Sequence, residues 1–207
     1  VVDVPAAVDR LDRAHRAELL ALRRRIIDDV QRIWPAYDPA NVDASWPALL
    51  AALTAITRSR HSRAVSLATD YLEDVRDAWG LPPDPTVLRP ARPPDDDTIV
   101  GAMTLRGPIA TKKAQARRDS RGASAAVALV RIVGGVTAIA LDGDRATVAD
   151  TVAGDPQAEG WRRVTDASPC KFCAGIRDEG VIAATDRGAQ FPAHDHCGCT
   201  AAPVYRR

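Results

Sequence analysis

Aromatic residues are scarce in this 207-residue chain: four tryptophans, three tyrosines and two phenylalanines, 4% of the total. A β-sandwich relies on aromatic and β-branched residues to fill a pleated, half-buried surface, so the scarcity argues against one. Charge of one sign is lacking as well. Lysine and arginine total 28 against 27 aspartates and glutamates, a formal net charge of +1, so no global field draws the chain to nucleic acid or membrane. Any electrostatic partner must be met by a local patch. No uninterrupted run of about 18 apolar residues occurs, and the expectation is that nothing spans a bilayer. The N-terminal stretch VVDVPAAVDRLDRAHRAELL carries charges where a secretory signal needs an apolar run, which predicts a protein kept in a reducing cytosol. Cysteine is rare too: there are four, and none precedes residue 170. In a reducing compartment, clustered cysteines point to metal ligation ahead of disulfides.

What is present is apolar residue content, 46% of the chain and rich in alanine. That suits packed helices and a real core. Over residues 5–34, Val8, Leu11, His15, Leu19, Leu22, Ile26, Val30 and Ile33 recur at intervals of three or four, the signature of one helical face. His15 is the polar member of that stripe and reads as a hydrogen-bonded histidine at the edge of the core. Pro35 ends the pattern, and NVDASWPALL restarts it, with Ser45 a candidate N-cap and Pro47 in the first turn. Leu49, Leu50, Leu53, Ile56, Val65, Leu67, Leu72 and Val75 continue the apolar face until Gly80 and Pro82.

The sequence thus predicts a mainly α protein in four parts. Residues 1–80 form an N-terminal helical hairpin, and 81–97, with six prolines, a stiff extended linker. Residues 98–160 form a helical middle region, and 161–207 a small, loop-rich module resembling a zinc knuckle. The DDDT stretch supplies an N-cap to the middle region. Breaks are expected at RGP (106–108), near SRG (120–122) and at LDGD (141–144), and ALVRIVGGVTAIAL reads as helix in preference to a hairpin turning on Gly134-Gly135. The most basic run is ATKKAQARRDSRG, where Lys112, Lys113, Arg117, Arg118 and Arg121 outweigh Asp119. It is either a solvated helix face or a contact to DNA phosphates or an acidic protein surface. No aromatics interleave with it, so stacking on single-stranded bases is not supported.

From Cys170 the order is C-x2-C, twenty residues, then H-x2-C-x-C. Two close pairs at that separation are the arrangement of a structural zinc site, in which each pair bends in a tight turn and the intervening chain folds back. The candidate ligands are Cys170, Cys173, His194, His196, Cys197 and Cys199. Equal two-residue gaps favour Cys170, Cys173, His194 and Cys197, with Cys199 able to replace His194 or Cys197 and His196 the weakest. Few large apolar side chains lie in this segment (Trp161, Val164, Phe172, Ile176, Val181, Ile182, Phe191 and Val204). A piece so small rarely holds itself by burial alone, whereas a structural Zn2+ contributes on the order of 10–16 kcal/mol in small peptides.

Catalytic readings fare less well. PCKFC matches half of a zinc-deaminase signature, but no upstream H-x-E accompanies it. H-E-x-x-H and G-x-S-x-G are absent, and no βαβ pattern surrounds the C-x-x-C.

GWRRVTDASPCKFCAGIRDEG followed by FPAHDHCGCTAAPVY resembles the C-terminal region of MuF-like minor capsid proteins, the head-morphogenesis family of tailed bacteriophages. The resemblance rests on Trp161, Cys170, Cys173, Gly180, His194, Cys197 and Cys199, over roughly residues 145–205. It implies a structural head protein present in few copies, associated with the portal protein and the major capsid protein inside the shell, and assembled in the host cytoplasm. Some relatives are labelled capsid maturation proteases, which gives the enzymatic alternative. A free-standing zinc-containing DNA-binding module is the third reading. For a head protein, packaged DNA is a further expected contact, through Lys112, Lys113, Arg117 and Arg118, with no membrane partner.

Overall fold

A computed structural model describes residues 6–165, 169–178, 180–183, 191 and 197–206. The chain is mainly helical. Two long helices open it, α1 (Ala6–Ile33) and α2 (Val42–Ala78). Then follow α3 (Asp96–Thr104), α4 (Ala110–Ala116) and a third long helix, α5 (Arg121–Gly154). The C-terminal part holds β1 (Ala158–Val164), α6 (Lys171–Asp178), β2 (Val181–Ala183) and β3 (Thr200–Tyr205).

The apolar stripe of α1 does what its spacing demands. Leu19, Leu22, Ile26 and Val30 bury against Leu49 and Leu53 of α2 and Ile132, Val136 and Ala140 of α5. α5 is the hub, touching α1, α2, α3, α4, β1 and β3. GGVTAIAL is helical within it, as the alanine-rich flanks indicated. By length and composition alone α5 is long and apolar enough to cross a membrane. Here its apolar residues serve as core, because helices cover it on several sides.

Three local readings need revision. α2 starts at Val42 with Asn41 at the N-cap, four residues before Ser45. The Ser45 hydroxyl instead accepts from the Asp38 amide at 3.1 Å, bracing the turn ahead of the helix. RGP does not break the helical path. Leu105–Ile109 is a π-helical turn that carries Pro108 between α3 and α4, and the widened turn accommodates a residue with no N–H to give. LDGD does not break α5 either. A Cβ on Gly143 would lie 2.7 Å from the His61 carbonyl oxygen, so the glycine there permits close approach of α5 to α2. The break near SRG is real. Arg118, at φ 71°, closes α4, and the Ser120 hydroxyl accepts from the Ala123 amide to cap α5. Asp95 of DDDT likewise caps α3, accepting from Thr98 N–H at 2.6 Å.

The proline-rich segment lies along α5 as a strap. The amides of Arg89 and Ala91 donate to Thr151 Oγ1 (2.9 Å) and Thr147 Oγ1 (3.0 Å). Between prolines, these are the donors the backbone has to offer.

The strands escaped the sequence reading. They form an antiparallel sheet of order β2-β1-β3. Trp161 pairs with Ile182 on one side and Pro203 on the other. Proline is tolerated there because β3 is an outer strand of the sheet. All six residues of β3 are buried, since α5 packs over it and Tyr205 meets Trp79 edge-on, centroids 6.2 Å apart. A second apolar cluster results. It joins Val8, Leu72, Val75, Val148 and Val152 of the helices to Trp161, Phe191, Tyr205 and three cysteines.

Candidate metal centre

The sulfur atoms are brought together by three elements. β1 and β3 pair through Arg163–Ala201 and Val164–Thr200, which sets Cys199 at the threshold of β3 beside the end of β1. α6 begins just after Cys170, whose carbonyl accepts from the Ala174 amide at 2.9 Å. Its first turn points Cys173 inward while Lys171 and Phe172 stay at the surface. Cys197 and Cys199 flank Gly198 and are both buried.

The Sγ atoms of Cys173, Cys197 and Cys199 all lie within 4.8 Å of one another. Those of Cys173 and Cys197 are 3.8 Å apart. Zinc–sulfur bonds of about 2.3 Å directed to the corners of a tetrahedron space the sulfurs by about 3.8 Å. The spacing also exceeds a disulfide bond of about 2.05 Å by a wide margin, and no disulfide links the four cysteines. Cys170 sits at the exposed edge of the group, and its Sγ accepts from the Cys173 amide at 3.4 Å. A backbone N–H aimed at a cysteine sulfur stabilises the thiolate form of that sulfur.

The thiols do not share charge evenly. The Cys199 S–H, donating to Cys197, draws Cys197 down to about 4. Burial pushes Cys173 up to about 11, and the hydrogen bond to Cys197 holds Cys199 above the ordinary thiol range. Thiolates are soft ligands, and a divalent cation that binds them displaces the protons the thiols carry.

Cys173, Cys197 and Cys199, with Cys170 nearby, are therefore compatible with a metal site. Cys199, held in reserve by the equal-gap argument, stands with the others. His194 and His196 lie outside the described residues. Sequence reasoning missed two residues at the site. Arg145 of α5 donates from Nη2 to the Cys197 carbonyl (2.7 Å) and from Nε to the Cys199 carbonyl (3.3 Å). Arg163 of β1 places Nη1 3.6 Å from Cys173 Sγ. A signal for Arg145 existed: it stands four residues after Leu141 and three before Val148, on the stripe of α5 that a core would bury.

The basic run is exposed at Lys112, Lys113, Arg117 and Arg118. Lys112 is engaged: its Nζ lies 2.7 and 2.9 Å from the two Asp43 carboxylate oxygens.

A family model described as VG15 protein matches residues 6–207, nearly the whole chain. No curated protein and no solved structure matches it.

Proposed function

Since the chain belongs to the VG15 protein family, a family of viral gene products, we propose that it is a structural component of a tailed-phage head. In this reading it is a MuF-like minor capsid protein that meets the portal and the inner face of the shell. Its C-terminal part is clamped by one structural Zn2+ held by Cys170, Cys173, Cys197 and Cys199. The supporting observation is the buried cysteine group, which falls within the segment whose sequence resembles MuF-like proteins. The donor set fits the ion. Thiolates are soft ligands, four of them close a tetrahedral site, and a closed site is structural rather than catalytic.

A non-enzymatic role fits the rest of the molecule. The His15–Asp144 hydrogen bond is a histidine–carboxylate couple of the kind a hydrolase employs, but both residues are buried, at 4% and 1% exposure. A polypeptide substrate does not reach such a couple. The strap, the long helices and the zinc clamp build a rigid body with several faces for contact.

Lys113, Arg117 and Arg118 remain as exposed cations at the α4–α5 turn, and we place packaged DNA against them. Lys112 contributes less, because Asp43 already neutralises it. Charge-neutral substitution of Lys113, Arg117 and Arg118 together should weaken duplex binding and lower its salt slope by about two to three. Unchanged binding removes the contact.

The test of the assignment is co-assembly. Tagged protein expressed with the portal and major capsid proteins of the same phage should co-purify with portal and appear in mature particles at few copies. Its absence from purified virions, or processing of coat precursor that this chain alone supplies, would overturn the assignment.

A further inference from the structure

A cavity of about 340 Å3 lies under the proline strap, between the C-terminal part of α2, the far end of α5 and Tyr205 of β3. Its walls include Leu72, Val87, Leu88 and Tyr205, with Pro83 and Pro85 on the strap side. The strap is pegged on either side of the cavity and so bridges it. Arg76 Nε donates to the Pro82 carbonyl at 2.9 Å, and the Arg89 amide donates to Thr151 Oγ1 at 2.9 Å. Proline rings stiffen the span between the pegs. The cavity is therefore pre-formed, as ligand sites usually are.

The charge around it has one sign. Arg76 lines the wall, but its guanidinium is spent on Asp155 and on Gln157 Oε1. Glu73 and Asp84 stand at the rim. Hydrogen bonds from the Thr86 hydroxyl and amide hold the Asp84 carboxyl below the usual carboxylate range. Asp70 and Asp77 flank Glu73 on the same side of α2, and all three are exposed. They form no ion pair among the described residues. The nearest exposed cation on the strap, Arg89, is turned to the Thr86 and Leu88 carbonyls.

We propose that this cavity is the docking site for an extended basic segment of another polypeptide. The segment sets one bulky apolar side chain into the cavity and lays lysine or arginine side chains along the acidic rim. The volume is at the small end of the roughly 300–1,000 Å3 range of ligand sites, which suits one large side chain rather than a whole helix face. Asp70 to Asp77 spans about 10 Å of helix, a reach that suits several cations carried on one chain. The amides of Val87, Arg89 and Ala91 are already used within the protein, so side chains and not an added strand make the contact. The chain's own basic run, ATKKAQARRDSRG, holds no bulky apolar residue, so a second copy presenting that run lacks the anchor. The site is separate from the cysteine group and does not depend on a metal there.

The test uses the full chain and a short synthetic peptide of lysines and arginines around a central phenylalanine, labelled for fluorescence anisotropy. Wild type should bind it, and the same peptide with alanine in place of phenylalanine should bind about 30-fold more weakly. Glu73→Lys, a surface change, should weaken the phenylalanine peptide about 3- to 10-fold. Leu88→Trp, which fills the cavity, should abolish the difference between the two peptides. Equal binding of both peptides by wild type would show mere attraction of charge and overturn the proposal, as would no binding at all. Unchanged affinity in Glu73→Lys overturns it too, and so does a full phenylalanine preference in Leu88→Trp. Should Leu88→Trp fail to fold, the peptide pair and Glu73→Lys decide the matter. Free phenethylamine that matches the peptide in affinity would mark a small-molecule site and overturn the polypeptide assignment.

Discussion

His15 Nε2 and Asp144 Oδ1 meet at 2.7 Å, although 129 residues separate them in the chain. The contact ties α1 to α5, and the imidazole also lies flat on Tyr71 of α2, centroids 4.1 Å apart and planes within 6°. Tyr71 in turn donates to Asp12 Oδ1 at 2.6 Å. Three helices are therefore pinned by a buried polar chain rather than by oil-like contacts alone. Replacing His15 by alanine leaves a buried carboxylate without its donor and should cost about 2–3 kcal/mol. Asp144→Asn should cost less, and a double-mutant cycle by denaturant unfolding should return a coupling of about 1–2 kcal/mol. A coupling near zero would mean that the two residues act independently.

Gly160 occupies a place where a side chain has no room. A Cβ there would lie 2.0 Å from the Ile182 carbonyl oxygen, a backbone atom that cannot swing aside. Gly160→Ala should force β1 and β2 apart at the cost of about 1–3 kcal/mol and speed amide exchange at Val181–Ala183. Gly101 provides the contrast: a Cβ meets nothing within 4 Å. Gly101→Ala in α3 should stabilise the fold by about 0.5–1 kcal/mol. Thermal or denaturant unfolding of the two variants side by side checks both signs.

Burial lowers the His61 pKa below its ordinary value of 6.5, against a smaller upward pull from Asp142. The unfolded chain therefore binds the proton more readily than the folded one. Stability due to this group is present above pH 6.5 and is lost as pH falls from there towards the folded pKa. His61→Gln should flatten that part of the stability curve. The difference between wild type and variant isolates it from proton competition at the cysteines, which both proteins share.

The helices were legible because their stripes are long and periodic. Leu19, Leu22, Ile26 and Val30 repeat often enough that local spacing decides the matter. The breaks were less so. Glycine in LDGD signals a turn when read alone, but here Gly143 serves helix contact, a fact that only the neighbouring helix supplies. β1 was hidden because its residues, AEGWRRV, carry two arginines and a glycine. Arg163 faces inward, over the Phe191 ring and against Cys173 Sγ, contacts that its own segment of sequence does not announce. At the site, spacing pointed to the cysteines but did not rank Cys199. The fold brings it beside Cys173 and Cys197 through pairing of β1 with β3, a contact between segments that are far apart in sequence.

Elemental analysis tests the proposed metal ion on the four cysteines most directly. Protein purified without added metal should carry about one zinc per chain. It should lose the metal in Cys173→Ser, Cys197→Ser and Cys199→Ser, and lose the structure of its C-terminal part in strong chelator. Metal-free protein that keeps the same near-ultraviolet circular dichroism around Trp161 with and without chelator would contradict the account.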